Sequence, residues 1–373
     1  PPVARMFRRM LSVARFVREY TGRTRYAVTR EETTYLRGTE RLNASLYSLA
    51  SGRPRPGWVV LHGLTLPGRD HPSLERFARS LASAGNVVLV PDIPEWRDLR
   101  VATDISVPTI RSAIFDLAGR KNVNPERIGL IGFSFGATQA IVAAADPSVQ
   151  RVLHGLAAWG GYRDVHRLFR FGITGDHEFD GRTYQLDPDP YGRWIMGANY
   201  LTGIPGFESY QDVAAALREL ALEAGRRRVY AWDPTYDPEK RRLRDIVASA
   251  HQEVFDLFAP LSGHTIHDLP RAHVVAKGLA DAALRAEPLL DPGPALGALR
   301  VRTVLAHGRA DRLVPFTESL RLLGALPANA RTRCTITSLF AHSGGTERGL
   351  GVLGRAREAT RFLKLLHRII SLI

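Results

Sequence analysis

Cysteine is almost absent from this chain of 373 residues, which contains only Cys334. A single cysteine cannot close an intrachain disulfide, and it cannot build a thiolate zinc site or a Cys-X-X-Cys redox pair. Disulfide-rich scaffolds and zinc ribbons are therefore excluded. We expect Cys334, which lies inside a strand candidate, to be a buried structural thiol. A hydrophobic core must stabilise the chain, and its length and 45% hydrophobic content are sufficient for one.

Long apolar runs are also missing, since no stretch approaches the roughly 20 residues of a membrane-spanning helix. The mean hydropathy is −0.14 and 24% of the residues are charged, which is typical of a soluble globular protein. The sequence begins with Pro1-Pro2 and without an initiator Met, which leaves room for a preceding signal or anchor. We predict a protein of the cytoplasm or of a membrane periphery, and the residues do not decide between the two.

Lysine is scarce, with four residues among the 51 basic ones, while the net charge is +14. Half of that charge comes from residues 1–30, which hold eight arginines against Glu19. On a helical wheel the first residues form a basic amphipathic helix with two arcs. The apolar arc holds Val3, Met6, Phe7, Met10, Val13, Ala14 and Val17, and the basic arc holds Arg5, Arg8, Arg9 and Arg15.

Two interpretations of this N-terminal helix remain. In the favoured one, the apolar arc, through Val3, Phe7, Met10 and Val17, packs on the body or on a second subunit of a homodimer. In the other, the helix makes peripheral contact with an anionic membrane. We expect no nucleic-acid partner, because the rest of the chain is only mildly basic.

Short buried-strand patterns alternate with helical patterns along residues 24–162, and the same alternation resumes over residues 299–373. Such alternation is typical of an α/β protein with a mostly parallel sheet that helices cover on both faces. Residues 163–298 carry helical patterns and no convincing buried strand. We interpret residues 1–23 as the N-terminal helix, 24–162 and 299–373 as the core, and 163–298 as a helical insertion, with a separate helical domain as the alternative.

The motif Gly132-Phe133-Ser134-Phe135-Gly136 follows one of the predicted strands and precedes a helical run of small residues. A turn this sharp strains its central residue, and glycines on either side remove side chains that would collide with it. The motif therefore predicts a serine hydroxyl raised above the sheet edge at a helix N-terminus.

A base and a carboxylate follow in the order that serine catalysis requires. Asp311 lies just beyond the strand candidate 301–306, and His342 lies just beyond the strand candidate 334–340. The carboxyl ends of parallel strands are where sites in open α/β sheets form. Ser134, Asp311 and His342 are therefore the candidate catalytic residues.

With this elbow, the His62-Gly63 turn, the Gly-Arg-Ala-Asp segment at 308–311 and the late His342, the sequence resembles the α/β-hydrolase superfamily. The resemblance implies eight mostly parallel strands and a cap after strand six, where residues 163–298 fall. It assigns Ser134 as nucleophile, His342 as general base and then acid, and Asp311 as the residue that orients the histidine. It places the oxyanion hole at the backbone amides of Phe135 and Leu64, with Thr65 as a weaker candidate. Asp164, just past the sixth strand, is a rival for the acid position.

A serine at the elbow predicts acyl transfer through an acyl-enzyme, without a metal or an organic cofactor. We expect a serine hydrolase that cleaves a carboxylic ester or related acyl bond of a small molecule. Thioesterase, lactonase, amidase, acyltransferase and carbon–carbon bond hydrolase activities share the triad and stay open. A non-catalytic interaction or membrane-docking protein is the alternative from a different class. His264 and His267 form a His-x-x-His pair without clustered carboxylates, so we predict no metal site there.

Overall fold

A computed structural model describes residues 2–227, 229–264, 268–339 and 351–373. Its ten β-strands within those ranges are β1 Val28–Arg37, β2 Glu40–Leu49, β3 Arg55–Leu61, β4 Val87–Pro91, β5 Val123–Phe133, β6 Leu153–Trp159, β7 Asp176–Phe179, β8 Arg182–Gln185, β9 Thr303–Gly308 and β10 Arg331–Thr337. Eight of them form one sheet in the order β1-β2-β4-β3-β5-β6-β9-β10. The β1–β2 and β2–β4 pairs are antiparallel and the other pairs are parallel, which confirms the predicted α/β class and strand number.

Fifteen α-helices lie in the same ranges: α1 Pro2–Tyr20, α2 Pro72–Ser83, α3 Pro94–Arg97, α4 Thr103–Ala118, α5 Phe135–Ala144, α6 Pro147–Gln150, α7 Val165–Thr174, α8 Pro190–Tyr200, α9 Gln211–Arg227, α10 Asp237–Ile246, α11 Gln252–Phe258, α12 Leu269–Ala286, α13 Gly293–Ala298, α14 Phe316–Ala325 and α15 Val352–Ile370. None of the helices described is long and apolar enough to cross a membrane.

Helices cover both faces of the sheet, and each face has its own hydrophobic core. Successive side chains of a strand point to opposite faces, so neighbouring residues of β3 contribute to different cores. Trp58 and Val60 pack with α1, α2 and α15, whereas Val59 and Leu61 pack with α4 and α5. A strand that is buried on both faces has a continuous run of apolar residues in its sequence, and β3 shows such a run at residues 58–61.

The packed face of α1 differs from the predicted one. Phe16 is fully buried, stacks on Tyr20 and meets Phe77 of α2 edge to face at 5.4 Å between ring centroids. Phe7 and Met10, which the wheel assigned to the packed arc, are 67% and 58% exposed. Phe16 does not belong to the predicted apolar arc, so the packed face is turned about the helix axis relative to that arc and shares Val13 and Val17 with it. The C-terminal half of the helix packs on the body through Val13 and Phe16. For Phe7 and Met10 the body supplies no cover, so contact with a second subunit or with a membrane stays a prediction.

Between β6 and β9 the described residues form seven α-helices, α7 to α13, and one antiparallel hairpin of β7 and β8. The sequence does not indicate this hairpin, because most of its residues are exposed and its strands lack an alternation of apolar and polar residues. Residues 238–257, whose sequence has the periodicity of one helix, form two helices, α10 and α11. Asp212 accepts hydrogen bonds from Ala248 N and His251 Nδ1 between them, and these bonds stabilise the break.

Glu318, on α14, fixes the chain where it leaves β6. Its buried carboxylate accepts hydrogen bonds from the backbone amides of Arg163 and Asp164, at 2.8 and 2.9 Å, and from Arg167 Nε at 3.1 Å. Hydrogen bonds to an ionised acceptor are among the stronger ones in proteins. The start of the inserted segment is therefore tied to the core of the sheet.

Only the C-terminal half of α15 packs against the body. Leu365, Leu366, Ile369 and Ile370 are buried, whereas Leu353 is exposed. Residues 340–350, which include His342, lie outside the described residues.

Candidate active site

Ser134 forms the turn between β5 and α5 in a conformation that L-residues rarely adopt. Its φ and ψ are 55° and −129°, and its backbone N–H donates to Trp159 O of the neighbouring strand at 2.8 Å. Such a conformation costs on the order of 1–3 kcal/mol and persists only where the surrounding structure imposes it. The predicted elbow therefore has the strained geometry that presents a side chain at the carboxyl end of the sheet.

The two glycines of the motif leave no room for a side chain. A Cβ on Gly132 would lie 2.2 Å from Gly136 O, and a Cβ on Gly136 would lie 2.3 Å from His62 O. Both clashes are with backbone, which cannot move aside as the end of a flexible side chain can. The motif is thus required by close backbone approach, which is a physical reason for its Gly-x-Ser-x-Gly spacing.

The turn after β3 packs directly against the serine. A Cβ built on Gly63 would lie 3.1 Å from Ser134 Cβ and 3.5 Å from Ser134 Oγ. Leu64 follows, and its carbonyl accepts a hydrogen bond from Tyr191 Oη of α8 at 3.1 Å. Tyr191 was not foreseen, because nothing in a single sequence indicates which tyrosine of a distant helix meets this turn.

The two predicted oxyanion positions flank Ser134. Phe135 is the first residue of α5, so its N–H has no acceptor within the helix and lies at the positive end of the helix dipole. Leu64 lines the cavity that Ser134 opens into. Both residues are therefore near the serine, while the role of their amides stays a prediction.

His62 supports this turn as a neutral imidazole. Its Nδ1 donates to Gly63 O at 2.7 Å, and its ring meets Trp96 edge to face at 5.4 Å between centroids. Complete burial lowers the pKa of His62 to about 4, because the protonated ring would lose its hydration, and the Gly63 carbonyl offsets only part of that cost. His62 therefore shapes the turn and carries no charge near neutral pH.

Asp311 lies on the loop after β9 and is 1% exposed. Its Oδ1 accepts from the amides of Leu313 and Val314, at 2.9 and 3.1 Å, and its Oδ2 lies 3.5 Å from His307 Nε2. Leu313 and Val314 line the same cavity as Ser134. The structure thus brings the loop of Asp311 and the serine to one cavity.

Asp164, the rival acid, caps a helix. Its Oδ1 accepts from Arg167 N at 2.8 Å at the start of α7, and its Oδ2 lies 3.4 Å from Arg167 Nη2. Its side chain is about one-third exposed. This environment is that of a helix-capping carboxylate, which favours Asp311 as the acid of the predicted triad.

The strand that precedes the predicted histidine is held by Glu358 of α15. Glu358 Oε2 accepts from Thr337 Oγ1 and Ser338 N, at 3.1 and 2.9 Å. Burial alone raises the pKa of this carboxyl, but these hydrogen bonds and Arg361 outweigh it and lower the pKa. Glu358 therefore fixes the end of β10, beyond which His342 falls outside the described residues.

Ser134 opens into an apolar cavity of about 110 Å³. The wall comes from both the core and the inserted segment, and it includes Leu64, Val101, Phe135, Tyr162, Leu168, Phe169, Tyr191, Ile195, Met196, Tyr200, Leu290, Leu313 and Val314. Tyr162 Oη donates to Leu290 O and Tyr191 Oη to Leu64 O. Tyr200 Oη, in contrast, has no hydrogen-bond partner in the described part of the chain. It is the tyrosine hydroxyl of this wall that remains available to a bound molecule.

The candidate metal ligands and the single cysteine do not form a second reactive site in the described residues. Within the described ranges, no three His, Cys, Asp or Glu side chains gather in a group that would hold a metal ion. His264 is exposed, and His267 lies outside those ranges. Cys334 is half-buried, and burial raises the pKa of its thiol to about 12, so the thiolate is scarce at neutral pH.

The strand order, the elbow and the site at the carboxyl edge define an α/β-hydrolase fold, and the solved structures agree. The chain is similar to the uncomplexed Pyrococcus horikoshii acylaminoacyl peptidase, with 14% identity, a TM-score of 0.51 and coverage of 95% of this chain and 43% of that one. It is also similar to an acylaminoacyl peptidase in complex with Z-Gly-Gly-Phe-chloromethyl ketone, with 15% identity, a TM-score of 0.51 and coverage of 95% of this chain and 43% of that one. For the structure of esterase Est22 the identity is 13% and the TM-score 0.50, and the match covers 98% of this chain and 86% of that one.

The chain therefore has the α/β-hydrolase fold. It spans less than half the length of the two peptidase chains. No protein-family model matches the sequence, and no curated protein does.

The low pKa of His62 predicts an acid-sensitive stability. The unfolded histidine binds a proton near pH 6.5 and the folded one only near pH 4, so acidification favours unfolding within that window. Between pH 7 and pH 4.5 the loss is about 2 kcal/mol. His62→Asn should lose this part of the pH dependence in urea unfolding, whereas the exposed control His154→Asn should keep it. An unchanged pH profile in His62→Asn would contradict the assignment.

Proposed function

We propose that this protein is a serine hydrolase that cleaves carboxylic esters with small apolar acyl groups through an acyl-enzyme. One observation carries the proposal: Ser134 is held at φ 55° on a strand-to-helix turn and opens into an apolar cavity. A hydroxyl in that position meets a bound acyl carbon at the helix N-terminus, where negative charge is stabilised. The peptidase and esterase activities named for the similar structures agree with this reaction class.

The proposed reaction begins with attack of Ser134 Oγ on the acyl carbonyl carbon, while the proton of Oγ passes to His342. The carbonyl oxygen becomes an oxyanion, which the N–H groups of Phe135 and Leu64 stabilise. The tetrahedral intermediate collapses, His342 returns the proton to the leaving alcohol, and the acyl group remains on Ser134. Water then repeats the sequence and releases the acid.

Asp311 would orient His342 and stabilise its protonated ring. Two amides hold Oδ1 of Asp311 in place and its carboxylate is almost fully buried, so its position is preorganised. Tyr191 would act as a positioning residue, since its hydrogen bond to Leu64 O fixes the turn that supplies one oxyanion amide. No metal or organic cofactor takes part in these steps.

The size of the cavity limits the acyl group. An engineered apolar cavity of about 150 Å³ holds a benzene molecule. A cavity of about 110 Å³ therefore fits a short alkyl or branched acyl group better than a fatty acyl chain. Met196 lies at the wall next to Gly172, with its methyl group 2.4 Å from where a Gly172 Cβ would be.

Ser134→Ala should abolish ester hydrolysis while the fold persists. We expect turnover to fall on the order of 10⁶-fold, because the nucleophile and its base act as a unit. The measurement is hydrolysis of p-nitrophenyl butyrate, together with labelling by a fluorophosphonate probe, and Ser73→Ala on the exposed start of α2 is the control. Near-normal activity in Ser134→Ala would disprove the nucleophile. A wild-type protein that neither labels nor hydrolyses esters would favour the non-catalytic alternative.

Replacement of each candidate acid by asparagine shows which of the two serves the triad. Asp311→Asn should lower turnover by about 10⁴ by favouring the wrong histidine tautomer. Asp164→Asn should leave turnover nearly unchanged, because asparagine also caps helices well. Steady-state kinetics on both variants, with thermal unfolding as the folding control, decides the matter. If Asp164→Asn is the crippled variant, the acid lies after strand six.

The cavity predicts a preference for short acyl chains. The wild-type protein should hydrolyse p-nitrophenyl butyrate with a higher kcat/KM than p-nitrophenyl octanoate. Met196→Ala should raise the octanoate-to-butyrate ratio about tenfold, because one or two methylenes in an apolar pocket change binding by that order. Met6→Ala, at an exposed site on α1, is the matched control. An equal ratio in wild type and Met196→Ala would show that the acyl chain lies elsewhere.

A further inference from the structure

The outward face of α1 presents four large apolar side chains that nothing in the described chain covers. Met6, Phe7, Met10 and Leu11 are each at least half exposed. On the opposite side of the same helix, Val13, Phe16 and Glu19 are buried against the body. The helix is therefore anchored by its C-terminal half, and it holds an apolar surface away from the protein.

An arginine-rich cleft lies where α1 meets the body, and its Arg9 is the i+3 neighbour of Met6 at the edge of the apolar face. The cleft, with a volume of about 170 Å³, is lined by Arg9, Arg302, His367, Arg368 and Ser371, with Val304 and Leu372. Arg9 Nη2 donates to Ser371 O at 3.5 Å, so α1 itself forms one wall. Ser371 Oγ is buried and has no hydrogen-bond partner within the described ranges.

The arginines of the cleft have no carboxylate partner among the described residues. Among the described residues, no carboxylate lies within ion-pairing distance of Arg9, Arg302, Arg333 or Arg368. Burial and the nearby charge of Arg333 lower the pKa of Arg368, as is expected where like charges are held together. Most buried or half-buried arginines elsewhere in this chain have a carboxylate partner, such as Arg37 with Glu95. A concentration of unpaired guanidinium groups is suited to phosphate, which accepts paired hydrogen bonds from arginine.

We propose that the exposed face of α1 and the arginine cleft together form a docking surface for an anionic phospholipid membrane. Apolar side chains that enter the headgroup boundary beside arginines that bind phosphates are the two components of interfacial binding. Neither a nucleic acid nor free phosphate would use the apolar face, and a second copy of this chain would bring the same unpaired arginines. The membrane is the occupant that uses both features.

The sheet gives this docking a direction. Arg302 and Val304 lie at the amino end of β9, and Asp311 follows the carboxyl end of the same strand. The docking surface and the cavity of Ser134 are therefore at opposite edges of the sheet. Docked in this way, the protein turns the Ser134 cavity away from the membrane and toward water, so its substrate arrives from solution.

The test is sedimentation of the full chain with vesicles of phosphatidylcholine alone and of phosphatidylcholine with about one-third phosphatidylserine. The anionic vesicles should bind at least about tenfold more protein, and salt near 1 M should weaken that binding by screening. Phe7→Ser should lower binding on the order of tenfold. Arg9→Gln and Arg302→Gln should each lower it about fivefold.

Matched controls lie on the inserted segment, where Val274→Ser replaces a residue about as exposed as Phe7, and Arg241→Gln replaces an arginine that is exposed like Arg302. They should bind vesicles like the wild type, and thermal unfolding should show that every variant is folded. Four results would overturn the proposal. The first is equal binding to both vesicle types, and the second is vesicle binding by the variants that equals that of their controls. The third is stabilisation by inorganic phosphate, or binding of duplex DNA, in a protein that binds no vesicles. The fourth is a dimer that Phe7→Ser dissociates while vesicle binding stays unchanged.

The direction of docking has its own readout, which is independent of the binding assay. If Ser134 hydrolyses esters, vesicle-bound protein should keep the kcat/KM of the free protein toward a water-soluble ester. A loss of that activity on binding would contradict the proposed orientation, while vesicle sedimentation would still report the docking itself. Absence of esterase activity in both states would disprove the proposed function and leave the docking result unaffected.

Discussion

The close backbone approach around Ser134 is the constraint on which the rest of this site depends. A Cβ on Gly132 would collide with the backbone of Gly136, and a Cβ on Gly136 would collide with the carbonyl of His62. The elbow is thereby locked to the turn after β3, two segments that are about 70 residues apart in the chain. Because the surroundings impose the positive φ of Ser134, its strain is balanced by packing on both strands.

Polar side chains around the elbow hold the neighbouring segments in place. His62 stays neutral because it is buried against Trp96, so the turn bears no charge beside the serine. Tyr191 holds the carbonyl of Leu64 from the inserted segment, and Glu318 ties the start of that segment to α14. These two contacts join the inserted segment to the core near the cavity, and the hydrogen bonds of Glu287 to Thr103 and of Asn199 to Leu99 join it at other points. Sequence at those points is constrained by hydrogen bonding as well as by packing.

The sequence predicted the sheet well, because strands buried on both faces appear as apolar runs and the elbow has a local reason for its spacing. It also predicted that Asp311 follows a strand whose end lies at the site. It did not predict the hairpin at 176–185, whose side chains are mostly exposed. It missed Tyr191 and Glu318, since their hydrogen-bond partners, Leu64 and Arg163, lie 127 and 155 residues away in the chain. Periodicity reports which face of an element is apolar, but not which distant side chain meets it.

The same limitation explains α1. A helical wheel shows that Phe7, Met10 and Val13 share an apolar arc, but the width of the surface that receives the helix is a tertiary property. Phe16 and Val13 occupy that surface, and Phe7 and Met10 extend past it. An apolar arc that the body covers only in part must either meet a further partner or remain in water at a cost of about 25 cal/mol per Å². In the proposed docking, the cleft arginines, which have no carboxylate partner within the described ranges, add a preference for negative charge, so one anionic membrane would account for both features of α1.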